Sequence, residues 1–343
     1  MARARLLRPT GLRRGDRVRL IAPASPFAPA LMQAGQRVLE RFGLVPMVSR
    51  DEFAREGFLA GSDAYRAERL TKALGEDETR AVWCIRGGYG TARLLALLDL
   101  PRLRRHPKLL IGFSDVTALL LQLGRSGGFV TIHGPVVTQL PRLLAADLRW
   151  LESLLFGVRQ RQSVPLGPTR TLVRGEADGR LVAANLAILA SLAGTSFAPD
   201  LRGAILCLED VGEEAYRLDR LFWQLTSAGL LRECRGIVLG ALTACTPAGG
   251  RRHSARRVLE GAIAALGLPA IAGAAFGHGR RNVALPVGVR ARLDAGAGTL
   301  TLLEPAVRLE EPRAVGRPSA GRRLERGRRD CREPRFARTH GAA

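Results

Sequence analysis

Leu109-Leu110-Ile111-Gly112-Phe113-Ser114-Asp115-Val116-Thr117-Ala118-Leu119-Leu120-Leu121 is the stretch on which the architecture turns. Leu109–Phe113 is a short, unbroken apolar run, the pattern of a strand buried on both faces. After Ser114-Asp115 the apolar character resumes for long enough to make a helix over Val116–Leu123. The same rhythm extends outward. Strands are expected at Val18–Ala22, Leu44–Val48, Ala81–Ile85 and Phe129–His133, and helices at Leu31–Phe42, Ser62–Leu74 and Thr91–Leu98. Ser62 is placed to cap its helix. Strands alternating with helices specify an α/β fold, here a Rossmann- or flavodoxin-like parallel sheet covered on both faces.

Between 141 and 180 the rhythm breaks, and Pro141, Gly157, Pro165, Gly167 and Pro168 crowd the segment, which reads as a linker between domains. A second α/β unit with a mixed sheet is expected over 181–309. It has helices near Ala184–Ala193, at Ala215–Ala228 and near Ala255–Leu266, strands at Ala204–Glu209 and Ile237–Leu242, and a terminal hairpin over Val289–Leu303. Residues 1–140 form the first domain of this reading. Residues 310–343 form a basic tail whose ten arginines and few large apolar residues predict disorder.

The 343 residues carry a formal net charge of +22, with only two lysines (Lys72 and Lys108) among 53 basic residues. The arginines are scattered along the chain and aromatics make up 5%, so the clustered, aromatic-interleaved pattern of a nucleic-acid groove is missing. Five cysteines without a CxxC pair suit a reducing compartment. Neither a secretory h-region nor an apolar run of about 20 residues occurs, so a cytoplasmic protein without membrane contact is expected.

Several segments could carry chemistry. Ser114, between strand and helix, would project its hydroxyl above the sheet edge beside helix N-terminal amides, although this segment taken alone favours a cap on the helix Val116–Leu123. Arg86-Gly87-Gly88-Tyr89-Gly90 follows a strand and would let backbone amides approach a ligand, but it is not a nucleotide-binding signature. The apolar strand Ile205–Leu208 runs into Glu209, Asp210, Glu213 and Glu214, among which composition does not choose. Of five histidines, His133 and His278 follow apolar runs on glycine-bearing turns, while His106, His253 and His340 lack such a setting. No HxH or HxxxH pair supports a metal site, and no cofactor is called for.

Together these segments resemble the LD-carboxypeptidase family of serine peptidases, which includes the microcin C immunity peptidases. The likeness runs from about Gly15 to Glu304. It is carried by Gly15-Asp16, Ala22-Pro23-Ala24-Ser25, Leu59-Ala60-Gly61-Ser62-Asp63, the Arg86–Gly90 turn, Gly112-Phe113-Ser114-Asp115 and His133-Gly134-Pro135. Leu208-Glu209-Asp210-Val211-Gly212-Glu213, Tyr216-Arg217, Asp219-Arg220, Gly277-His278-Gly279 and Leu285-Pro286-Val287-Gly288 complete it. The resemblance implies that Ser114 is the nucleophile, Glu209 the triad acid and His278 the base. It also implies an oxyanion hole made by the amides of Gly88 and Asp115, with Gly87 as the alternative to Gly88. One departure is Ala183-Ala184 before Asn185-Leu186, where the family commonly has glycines, so a different local backbone is expected there.

The activity implied by the resemblance is release of terminal D-Ala from a cytoplasmic murein tetrapeptide during peptidoglycan recycling, by a homodimer. Activity should fall in mild acid as the base protonates. A rival of the same class is an immunity peptidase acting on an aminoacyl-nucleotide antibiotic, which would need an aromatic platform. Trp83 and Trp223 fall in core-like positions, which ranks that rival second. A rival of another class, nucleic-acid binding through the basic surface and tail, predicts steep salt dependence.

Overall fold

The structure, a computed structural model, describes residues 6–105, 107–157, 161–245 and 254–309. The expected basic tail, together with His106, His253, His340 and Cys331, lies outside the described residues.

The first sheet is built from β1 (Arg17–Ile21), β2 (Val45–Met47), β3 (Ala81–Cys84), β4 (Leu109–Gly112) and β5 (Thr131–His133), all parallel, in the order β5-β4-β3-β1-β2. That is the flavodoxin-like order, which reverses direction beside β1. β3 and β4 are buried at every position, as their unbroken apolar runs require. The helices α1 (Pro29–Arg41), α2 (Asp63–Gly75), α3 (Leu100–Leu103) and α4 (Thr117–Gln122) join these strands, and Ser62 caps α2 by accepting from the Tyr65 amide at 3.3 Å. The segment read as helix Thr91–Leu98 is a 3-10 turn over Ala92–Leu97.

The stretch read as an interdomain linker is largely regular structure. It contains α5 (Ala145–Phe156), β6 (Gln162–Ser163), β7 (Arg170–Val173) and the start of β8 (Glu176–Asn185). Gly157, Pro165, Gly167 and Pro168 fall between these elements. The second sheet continues with β9 (Ala204–Val211), β10 (Gly236–Thr243) and β11 (Ala270–Ala272), linked by α6 (Leu186–Leu192), α7 (Ala215–Ser227) and α8 (Ala255–Ala264). β8 to β11 run parallel, and β7 closes one edge antiparallel.

β12 (Leu285–Val287) then crosses back to pair antiparallel with β5 in the first sheet. The hairpin of β13 (Arg290–Asp294) and β14 (Thr299–Leu302) returns to the second sheet, where β6 pairs with β14. Late in the chain, therefore, the backbone stitches the two sheets together.

Ala183 and Ala184 lie fully buried inside β8. Neither belongs to the two non-glycine residues with positive φ among the described residues, Ser114 and Ala244. The alanine pair is ordinary extended backbone, so the expected distortion is not seen.

Candidate active site

Ligands in open α/β sheets bind outside the carboxyl ends of the strands, where the strand order reverses. Here the turns after β1, β3 and β4 meet in that position. β4 ends at Gly112, Phe113 is extended, and Ser114 then takes φ +64° before a short 3-10 helix over Ser114–Val116 leads into α4. A side chain in the left-handed region costs about 1–3 kcal/mol, which the surrounding structure must hold in place. The result aims the hydroxyl away from the sheet. Ser114 stands at neither N-cap position, since these are held by Phe113 and Val116, and its Oγ turns to His278.

His278 lies on the turn between β11 and β12. Its Nε2 is 2.9 Å from Ser114 Oγ and its Nδ1 is 2.7 Å from Glu209 Oε2. Its backbone amide donates to the same Glu209 oxygen at 3.2 Å. Glu209 is near the end of β9 with no exposed surface, and its other oxygen accepts from Asn185 Nδ2 at 3.3 Å. Asp210, one residue on, points to the opposite face of the strand. There it accepts from the amides of Ala187 and Val211 and from Asn185 Nδ2, tying down the start of α6. Burial lifts the Asp210 carboxyl to about 6. The structure thus separates the carboxylates that the sequence left open. Glu209 meets the imidazole, Asp210 braces a helix, and Glu213 and Glu214 face Arg217 at 3.9 and 4.0 Å.

Glycine at 277 is a requirement of this contact. Its φ is +103°, and a Cβ there would lie 2.5 Å from Glu209 Oε2. His133, the other candidate histidine, is fully buried, and among the described residues neither ring nitrogen has a hydrogen-bond partner. Burial pulls it down to about 4, so it is neutral near pH 7. Phe113 lies against both rings, with centroids 6.0 Å from His133 and 4.6 Å from His278.

The Arg86–Gly90 turn packs directly on Ser114. A Cβ on Gly87 would come within 3.0 Å of Ser114 Cβ, and one on Gly88, whose φ is +111°, would strike Ser25 Oγ at 2.4 Å. Asp115 is buried, and its carboxylate accepts from the amides of Gly90 and Thr91 at 3.1 and 2.9 Å. Burial raises its carboxyl above the usual range. The Asp115 amide falls in the first turn of the 3-10 helix, where backbone N–H groups lack intrahelical acceptors.

Arg66 was not singled out by the sequence. It is 1% exposed and donates to the carbonyls of Pro23, Gly61 and Gly90 and to Asp63, fastening three loops around the site. One arginine among the charged residues of an amphipathic helix gives no sign of this, because its acceptors are mostly loop carbonyls, two of them distant in sequence. Trp83 is core, as expected. Trp223, also expected in the core, is 66% exposed on α7, because the helix turns that face to solvent.

A strained serine, an imidazole and a buried carboxylate in hydrogen-bonded series on an α/β frame define the class of serine hydrolases. The chain belongs to the LD-carboxypeptidase family, matching its N-terminal domain over residues 18–134 and its C-terminal domain over residues 178–293; it is a serine-type LD-carboxypeptidase. Among relatives, it is 40% identical to the murein tetrapeptide carboxypeptidase of Pseudomonas aeruginosa, over 81% of this chain and 93% of that one. The crystal structure of muramoyltetrapeptide carboxypeptidase from Oxalobacter formigenes superposes with a TM-score of 0.73 at 29% identity, over 83% of this chain and 97% of that one. The structure of MccF in complex with glutamyl sulfamoyl guanosine shares the fold, with a TM-score of 0.79 at 21% identity, over 88% of this chain and all of that one.

Proposed function

We propose that this protein releases terminal D-Ala from a murein tetrapeptide in the cytoplasm, during peptidoglycan recycling, through a Ser114–His278–Glu209 triad. The observation that carries the reading is the unbroken series from Ser114 Oγ to His278 Nε2 (2.9 Å) and from His278 Nδ1 to Glu209 (2.7 Å).

In this mechanism His278 Nε2 takes the Ser114 proton as Oγ attacks the carbonyl of an L-to-D peptide bond. The oxyanion of the tetrahedral intermediate accepts from backbone amides on the Gly87-Gly88 turn and at Asp115, each such donor being worth about 3–4 kcal/mol. Glu209 holds the imidazole with Nδ1 protonated and stabilises the imidazolium that forms. His278 then protonates the departing amine, D-Ala leaves, and water activated by the same ring hydrolyses the acyl-enzyme. The named Pseudomonas and Oxalobacter relatives support the substrate class. All four described cysteines are free, which supports a reducing compartment, and among the described residues no helix is long and apolar enough to cross a membrane.

The test is incubation with L-Ala-D-Glu-meso-diaminopimelate-D-Ala and assay of free D-Ala. Wild type is expected to release it, and Ser114→Ala to lose on the order of 10^6 in kcat. No release by wild type rules out the substrate, and release undiminished in Ser114→Ala rules out the nucleophile.

A further inference from the structure

The turns after β1 and β3 part where the strand order reverses, and between them opens a cavity of about 410 Å³. Its lining includes Ser25, Phe27, Arg55, Phe58 and Arg86, and no acidic side chain. The cavity adjoins the triad through a continuous set of contacts. Gly87 packs on Ser114, Gly88 packs on Ser25, and Ser25 Oγ accepts from the Tyr89 amide at 3.1 Å.

Nearby arginines are neutralised. Arg69 pairs with Asp51 and Glu52, and Arg93 and Arg66 pair with Asp63. Arg55 and Arg86 have no ion pair among the described residues, and the hydrogen bond seen for Arg86 goes to a neutral acceptor, the Pro26 carbonyl, at 2.5 Å. Two cations therefore open on one small cavity without a counter-charge. α1 adds to the field, since it begins beside the cavity at Ala28 with no capping side chain and no acidic residue in its first turn. An anion is what this setting lacks. A guanidinium matches a carboxylate in shape as well as charge.

We infer that Arg86 and Arg55 bind a carboxylate of the peptide being cleaved. The inference rests on the peptidase reading above. In an L,D-carboxypeptidase substrate the terminal carboxylate is two bonds from the scissile nitrogen, within reach of a cavity that adjoins Ser114. The D-Glu carboxylate is the second source of the same chemistry. Phe27 and Phe58 give the same lining an apolar side, which suits the small methyl group of D-Ala.

The experiment uses the full chain carrying Ser114→Ala and isothermal calorimetry with three ligands: the tetrapeptide, its C-terminal D-alaninamide, and the analogue with the D-Glu carboxylate amidated. Titrations are repeated with Arg55→Gln and Arg86→Gln added together. One amidation is expected to weaken binding 10- to 100-fold in Ser114→Ala and less than threefold once both arginines are gone, and the sensitive ligand identifies which carboxylate is held. Equal binding of all three ligands overturns the inference, as does discrimination that persists without the arginines, or no binding at all. D-Ala release is measured in parallel with Ser114 present. If wild type releases none while Ser114→Ala still prefers the acid through the arginines, the peptidase reading fails and the carboxylate site stands. If release is normal but discrimination ignores the arginines, the carboxylate site alone fails.

Discussion

Replacing Gly277 with alanine tests whether the Glu209–His278 contact sets the geometry of the proposed triad. Two penalties arise in the structure. The backbone φ of +103° is one that an L side chain rarely adopts, at about 1–3 kcal/mol. The new methyl would also lie 2.5 Å from Glu209 Oε2, 2.7 Å from its Cβ and 2.8 Å from its Cγ. Glu209 has no exposed surface into which to retreat, and its second oxygen is engaged by Asn185. Relief must come from displacement of the carboxylate, with an overpacking cost of about 1–3 kcal/mol. Gly194→Ala supplies the control, because its φ is +81° but nothing lies within 4 Å of an added Cβ. Both variants should lose stability in urea denaturation, Gly277→Ala by about 1–3 kcal/mol more. Only Gly277→Ala should lose kcat for D-Ala release, on the order of 10^4, the scale on which a triad responds when its imidazole is misoriented. A folded Gly277→Ala enzyme with wild-type kcat would refute the reasoning.

Three further outcomes are expected. Glu209→Gln keeps the side-chain volume but no longer fixes the imidazole tautomer, so steady-state kinetics should show kcat lower by about 10^4 with KM little changed. Arg66→Met leaves the Pro23, Gly61 and Gly90 carbonyls without their donor and should cost about 3 kcal/mol or more in urea unfolding, with a fall in kcat as the loops loosen. His133, at about 4 in the fold against about 6.5 unfolded, lets the unfolded chain protonate first, so its contribution of about 3 kcal/mol is lost as pH falls through that window. Asp210, at about 6 against about 3.8, protonates first in the native state and contributes in the opposite sense as pH falls from about 6 to about 3.8. The difference in unfolding free energy between pH 7 and pH 4.5 should therefore shift toward acid instability in Asp210→Asn and toward acid stability in His133→Gln.

The first sheet was readable because its strands fall in short, mostly apolar stretches bounded by turn residues, and because the intervening helices carry their own period. Ser114 and the Arg86–Gly90 turn were visible as strand-end features for the same reason. Which carboxylate faces His278 was not. Glu209 and Asp210 are adjacent, both buried and both at the end of β9, and the period-two alternation of the strand is what sends them to opposite faces. What decides between them is where the turn after β11 places His278, whose amide and Nδ1 both meet Glu209, a contact distant in sequence. The segment over 141–180 was misleading because, apart from α5, its complete strands are short pieces at the sheet edges. β6 has two residues and β7 four, too few to show a period, and the turn residues between them dominate the composition.

That segment matters to the site. The turn carrying His278 leaves the second sheet at β11 and enters the first at β12, so its position depends on both. Four contacts fix it. The Gly277 amide donates to Asn282 Oδ1 at 2.9 Å, and Asn282 Nδ2 donates to Gln139 Oε1 at 2.8 Å. Arg281 reaches the fully buried Asp147 of α5 at 2.6 Å, and Trp150 Nε1, also on α5, donates to the Ala284 carbonyl at 2.8 Å. Gln139, Asp147 and Trp150 all come after β5 in the chain, the strand against which β12 pairs. The imidazole is thereby referenced to the sheet that carries Ser114, while its carboxylate partner comes from the other sheet. Movement of one sheet against the other would pull Glu209, on β9, away from an imidazole tied to the first sheet. The arrangement fits a relay formed in advance of substrate, in which the 2.9 Å Ser114–His278 contact needs no closure to be made.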